Sequence, residues 1–267
     1  MTDLQSVIAA LVADGDEFDR MLSSLSDAEW DLPTPAPGWT IKHQVAHLIA
    51  TFRIAGLAAR DPQAFIAMAS RLSDDFEANV NASMNPFLGD EPSALKEKLH
   101  YELGGASDAL ARVPADSVVP WLVRPLPPAI LASAGMMELF GHGQDVADTV
   151  GYRRTHTDRL GYLVGFAVRV WDFGYLARNL ATPDVEFRFE ITSPSGQLWT
   201  FGPADAAQRI TGPAVDFCQL VTRRRHHLDL GVTATGPDAN YWLEIAQAYR
   251  GPAGEGRKPG QFAHLDA

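Results

Sequence analysis

The chain has 267 residues, 22 basic against 33 acidic side chains for a formal charge of −11, and 46% hydrophobic residues, which excludes a mainly disordered chain and provides for one or two globular domains. Its single cysteine, Cys218, excludes an internal disulfide and a Cys-rich zinc knuckle, so any metal must be held by histidine and carboxylate. The acidic balance argues against a nucleic-acid partner, because neutralising phosphates needs Lys and Arg clustered over a broad face, and it points instead to a small molecule.

The first residues, Met-Thr-Asp-Leu-Gln-Ser, lack a basic leader, and no apolar run approaches the roughly 18 residues that a membrane helix requires. The expectation is a cytoplasmic protein with no membrane partner. From Leu4 to Leu25 apolar residues recur at helical spacing (Leu4, Val7, Ile8, Leu11, Phe18, Leu22), which predicts an amphipathic helix. Leu32 to Gly38 is a proline-punctuated loop, and Thr40 stands where an N-cap belongs, ahead of a helix over 41–60 that Asp61-Pro62 ends. Residues 62–80 read as a further helix. Ser93 to Val113 reads as another, capped by Ser93 and stopped before Pro114.

Pro127 or Pro128 suits a first helical turn, where a missing N–H costs little, and opens a helix that Gly151 stops after Val150. A last long helix is predicted over about 157–180. From Val185 the period changes to two, with Val185, Phe187, Phe189 and Ile191 alternating with polar residues, and Pro194-Ser195-Gly196 turns the chain into Leu198 to Phe201. A helix over 215–222, a short strand near 231–235 and a helix over 237–249 complete an α+β module. The expected division is 1–182 for a helical, metal-binding domain, 183–250 for the small α+β domain and 251–267 for a flexible tail rich in Gly, Pro and charge.

In the helix after Pro127, Glu138 is the one side chain up to Gly143 certain to be charged, amid Ile130, Leu131, Met136, Met137, Leu139 and Phe140. A buried carboxylate without a partner is costly by several kcal/mol, so it must face a cation, a donor or a metal. His142 lies one turn on, on the same face, so two ligand-capable groups point at one spot in a helical interior. Spacing alone leaves open a simple Glu–His hydrogen-bonded pair. His47 stands aside from the apolar stripe of Ile41, Val45, Leu48 and Phe52, between Ala46 and Ala50, a setting that suits either a crevice between helices or an ordinary core histidine. His43 shares its column, nearer solvent.

Pro37-Gly38-Trp39-Thr40 with His47, taken with Glu138-x-x-x-His142, resembles the N-terminal domain of the DinB/YfiT-like metalloenzyme superfamily, specifically its mycothiol-dependent maleylpyruvate isomerase branch. The resemblance implies an α+β protein: a DinB-like four-helix bundle with extra helices over about the first 180 residues, then a small sterol-carrier-like domain. It implies a divalent metal, zinc, on His47, Glu138 and His142. Segments such as Gly202-Pro203-Ala204-Asp205 and Ile210 to Cys218 are similar to an actinobacterial metal-binding subfamily whose C-terminal region resembles a domain labelled for wyosine base formation. One cysteine cannot carry iron–sulfur radical chemistry, whatever that label suggests.

The family's chemistry implies mycothiol as thiol cosubstrate, bound and deprotonated at the metal's open position, attacking an electrophilic small molecule in a transferase or isomerase reaction. The catalytic group would be a metal-bound thiol or water, with no protein nucleophile assigned; Cys218 reads as a small buried hydrophobe. A non-catalytic metal or small-ligand-binding protein and a thiol-independent metal-assisted hydrolase stay open as alternatives, as do a monomer and a homodimer. Asp145, His43 and Arg178 are candidates for positioning a metal ligand or binding substrate. The one basic run, Arg223-Arg224-Arg225-His226-His227, suits either an anionic ligand or a solvated loop at the C-terminal end of a helix.

Overall fold

The computed structural model describes residues 3–265, which divide into two compact units at Arg153/Arg154. The first contains α1 (Leu4–Leu22), α2 (Ile41–Arg60), α3 (Pro62–Ala69), α4 (Phe76–Met84), α5 (Pro92–Ala111) and α6 (Pro128–Val150). In it α2 packs on α5 and α6, and α1 packs on the other sides of the same two, which makes a four-helix bundle with α3 and α4 set against α2. Its core is the apolar stripe of each helix: Val7, Leu11 and Leu22, Ile41, Val45 and Leu48, Leu95 and Leu110, Met136 and Leu139, all buried. Each such side chain contributes about 1.5–3 kcal/mol by leaving water.

Helix ends follow local chemistry. Asp3 accepts from Ser6 N at the start of α1, Thr40 caps α2, Pro128 occupies the first turn of α6, and Gly151 ends it at φ 68°. Two differences from expectation concern breaks and caps. The helix expected over 62–80 is two helices, because Ser73 and Asn79 exchange three hydrogen bonds across the gap and Asp75 caps α4 by accepting from Ala78 N. The N-cap position of α5 is Glu91, two residues before the expected Ser93, with Pro92 in the first turn.

The second unit holds α7 (Leu160–Arg169), α8 (Phe173–Leu176), β1 (Phe187–Thr192), β2 (Leu198–Phe201), β3 (Gln208–Pro213), α9 (Ala214–Val221), β4 (Thr233–Thr235) and α10 (Pro237–Ile245). The sheet order is β2-β1-β3-β4, with β1 and β3 parallel and the outer pairs antiparallel. Phe187, Phe189 and Ile191 face inward from β1 onto Phe217 and Trp242. The expected long helix over 157–180 is interrupted at Val170–Asp172, where Trp171 gives its carbonyl to Trp242 Nε1 (2.9 Å) instead of to a helical amide.

The expected boundary at 182/183 therefore falls inside this unit. α7 packs on α9, and Asp158 takes two hydrogen bonds from Ser195, so the segment over 154–182 belongs with the sheet. The 251–265 stretch, expected to be a loose tail, is tied back: Gly260 N donates to both oxygens of Asp229, and Phe262 is buried under the Arg225 guanidinium, 3.9 Å from its ring centre. Residues 266 and 267 lie outside the described residues.

Gly174 allows α8 to lie against the end of α10. A Cβ there would stand 2.2 Å from the Ile245 carbonyl oxygen and 3.0 Å from its carbon, and Arg178 Nη1 clamps the same junction by donating to Gly174 O and Ile245 O. Backbone cannot yield as a flexible side chain does. Gly174→Ala is expected to destabilise by about 3 kcal/mol, read as a lower denaturant midpoint. An unchanged midpoint would show that the junction tolerates the separation.

Candidate metal centre

The proline-punctuated loop builds one wall of the site. Thr34 N and Oγ1 both donate to Trp39 O, at 2.8 Å each, and Gly38 turns the chain at φ 78°, so Trp39 is presented by a short closed loop at the start of α2. Its indole stacks on His142 (ring centres 5.8 Å apart, planes 18° apart) and tilts against His47 at 5.3 Å. The two imidazoles are 4.5 Å apart. Beneath them Glu138 Oε2 lies 3.2 Å from His142 Nε2 and 3.5 Å from His47 Nε2.

One ligand atom from each of His47, Glu138 and His142 lies within 4.8 Å of the others, the one such group of histidine, cysteine and carboxylate among the described residues. The three keep 18%, 22% and 13% of their side chains exposed, so the cluster is recessed but reachable. Burial works to raise the Glu138 carboxyl, but hydrogen bonding and charge from His142 and His47 outweigh it and hold the group well below the usual carboxylate range. It is an anion at neutral pH.

The hydrogen bonds around His142 decide what its inner nitrogen can offer. Gln44, fully buried, donates its amide nitrogen to Thr34 Oγ1 (2.8 Å) and toward Asp145 Oδ2 (3.4 Å), which leaves Oε1 to face His142 Nδ1 at 2.5 Å. An amide oxygen only accepts, so Nδ1 carries the hydrogen and a neutral His142 presents a bare Nε2 to a carboxylate oxygen. A lone pair on Nε2 and a carboxylate oxygen at 3.2 Å call for a cation between them, either the proton of a charged His142, which supports the Glu138 anion, or a metal ion in its place. His47 Nε2 also faces Glu138 and Thr51 Oγ1 (3.4 Å), and its Nδ1 is buried without a hydrogen-bond partner. The residues fit a divalent ion with borderline-soft preferences, held by two imidazoles and one carboxylate.

His43, Asp145 and Arg178 have different positions. His43 Nδ1 takes up Thr40 N and Oγ1 (3.2 and 2.8 Å), so it completes the cap of α2. Asp145, fully buried, supports Gln44 and reaches His142 through it. Arg178 is in the second unit, where it clamps the α8–α10 junction. Gln44 and the contacts of Trp39 with both imidazoles were missed as site features.

The family described as mycothiol maleylpyruvate isomerase N-terminal domain matches residues 11–147, which include all three candidate ligands. A second family, described as wyosine base formation, matches residues 183–235. Two uncharacterized proteins of Mycobacterium tuberculosis, from strains CDC 1551 and H37Rv, are each 39% identical over 257 residues, 96% of this chain and 100% of theirs. The crystal structure of a mycothiol-dependent maleylpyruvate isomerase aligns with a TM-score of 0.55 at 16% identity, and that of a histidine-to-alanine mutant with 0.58 at 15%; both alignments cover 87% of this chain and 92% of the other. At those identities the likeness shows the fold.

Proposed function

Because this chain belongs to the mycothiol maleylpyruvate isomerase N-terminal domain family, we propose that His47, Glu138 and His142 hold a divalent ion, zinc, and that the protein uses mycothiol or a related low-molecular-weight thiol on an electrophilic small molecule, as an isomerase or transferase. The observation that carries the reading is the convergence of His142 Nε2 and His47 Nε2 on one oxygen of Glu138, with His142 Nδ1 held by the Gln44 amide oxygen. An ion bound there would act as a Lewis acid and lower the pKa of a thiol or water reaching it. With His47, Glu138 and His142 as its three protein ligands, such an ion would keep a position open to that thiol, the pattern of catalytic and not structural sites.

The chain's own residues do the positioning. Gln44 keeps the proton of His142 on Nδ1, so Nε2 stays a ligand, and Thr34 and Asp145 hold Gln44 in that sense. Trp39 covers both imidazoles and excludes water from one side, which leaves the exposed edges of the three ligands as the approach for a small molecule. Cys218 is fully buried in α9, so the attacking sulfur comes from outside the chain. No helix among the described residues is long and apolar enough to cross a membrane, and the cytoplasm, where such a thiol is kept reduced, is the location this chemistry asks for.

Calorimetric titration of mycothiol into metal-loaded and metal-stripped protein tests the thiol step. Saturable binding is expected with the loaded protein, and at least tenfold weaker binding after stripping. Equal affinity, or none in either form, would remove the thiol from the mechanism; thiol-independent cleavage of an ester or amide panel by loaded protein would put hydrolysis in its place.

A further inference from the structure

The metal centre leaves the basic run of the second unit without a role, and within it Arg223 differs from its neighbours. Arg224 Nη1 donates to Thr222 O, and Arg225 donates to Arg224 O and lies over Phe262. Arg223 is half-buried, its Nε is buried with no hydrogen-bond partner, and no carboxylate among the described residues pairs with it. Its backbone is in the left-handed region at φ 57°, just past the end of α9, where Arg223 N bonds Leu220 O and Arg224 N bonds Gln219 O. That is the position glycine takes at helix ends for steric reasons. A strained arginine there, unused by the fold, calls for a reason outside the fold.

Its surroundings supply one. Arg178 stands near enough that burial, and then the charge of Arg223, hold its guanidinium below the ordinary value, with Tyr249 and Tyr241 also bearing on it. Arg178 spends Nη1 on two backbone carbonyls, and no carboxylate among the described residues pairs with it either. Tyr175, one turn before Arg178, is 3% exposed, and its hydroxyl is buried with no hydrogen-bond partner. On the far side, a Cβ on Gly256 would come within 2.6 Å of Arg223 Nη2, so the returning 251–265 segment closes over the guanidinium with bare backbone. Two cations that pair with no carboxylate among the described residues, beside a buried hydroxyl that has no hydrogen-bond partner and on which the Asp238 charge bears, make an incomplete electrostatic set.

We infer that Arg223, backed by Arg178 and the Tyr175 hydroxyl, forms a binding site in the second unit for the oxyanion of a small molecule, a carboxylate or phosphate group seated on the Arg223 fork. The planar guanidinium offers two parallel N–H donors that match either group, and a glycine could hold the same turn but not the ligand. The inference does not depend on the metal centre.

The test is titration of full-length protein with malonate and with inorganic phosphate at constant ionic strength, with chloride as control, followed by amide NMR. Saturable one-to-one binding of either probe is expected, and the tighter probe identifies the group. Arg223→Gly is expected to weaken that binding at least tenfold while raising the thermal midpoint, because the strain leaves with the side chain. Tyr175→Phe is expected to weaken it several-fold with the fold intact. The inference is overturned if neither probe binds above chloride, if Arg223→Gly binds as well as the parent, or if Arg223→Gly lowers the midpoint with binding unaltered in Tyr175→Phe, which would make the arginine a part of the fold.

Discussion

Alanine at His142, or at His47, is expected to reduce bound divalent metal from one equivalent to less than about a tenth after dialysis, as measured by elemental analysis beside the parent protein. Two of three ligands rarely hold a borderline ion against buffer, and here the loss has a second effect. Glu138 is ionised, and its depressed pKa is maintained by the two imidazoles against the opposing pull of burial. Removing either leaves a recessed carboxylate with half its support. In metal-free protein His142→Ala should therefore also lower unfolding free energy, by about 2 kcal/mol, less than the 3–5 for a fully buried pair because Glu138 keeps 22% of its side chain exposed. Equal metal content in parent and both variants would end the assignment of the site.

Gln44→Leu is expected to weaken metal affinity 10- to 100-fold with all three ligands in place. The change removes the acceptor that fixes His142 Nδ1 as a donor and leaves Thr34 Oγ1 and Asp145 Oδ2 without their amide partner. The imidazole is then free to place its proton on either nitrogen and to rotate. Competition with a chromophoric chelator gives the affinity, and the visible spectrum of the cobalt-substituted protein gives a readout that general loosening of the bundle would not produce: broadened ligand-field bands with native helix content. Parent affinity in Gln44→Leu would show that His142 needs no external support.

The parts legible in the sequence are those whose causes are local. Thr40, Pro128 and Gly151 mark helix ends through their own backbone chemistry, and α2 and α6 match the expected spans. Glu138 and His142 stand out because a single charge in an otherwise apolar helix has few reasons to exist. Gln44 was invisible because its meaning lies in a contact 98 residues away in the chain. β3 was missed for a related reason. Its inward positions are Gln208 and Ile210, and a glutamine in a core position breaks the alternation that marks a strand; the fold satisfies it by letting Gln208 Oε1 accept from Ala239 N (3.0 Å). The domain boundary moved from 182 to 153 because helical periodicity alone does not say whether α7 packs on the bundle or on α9.

The three ligands also bear on how the chain folds. His47 is on α2 and Glu138 and His142 on α6, with roughly 90 residues between His47 and Glu138, including all of α3, α4 and α5. An ion gripping both would be a reversible cross-link closing a long loop. In chain-entropy terms such a closure is worth about 4–5 kcal/mol, the scale of a disulfide of that span, before any dissociation constant is counted. A protein with one cysteine cannot form that staple from sulfur. The same three side chains that would activate a thiol would then also serve as the cross-link, making metal supply a determinant of how long the bundle survives as well as of what it catalyses.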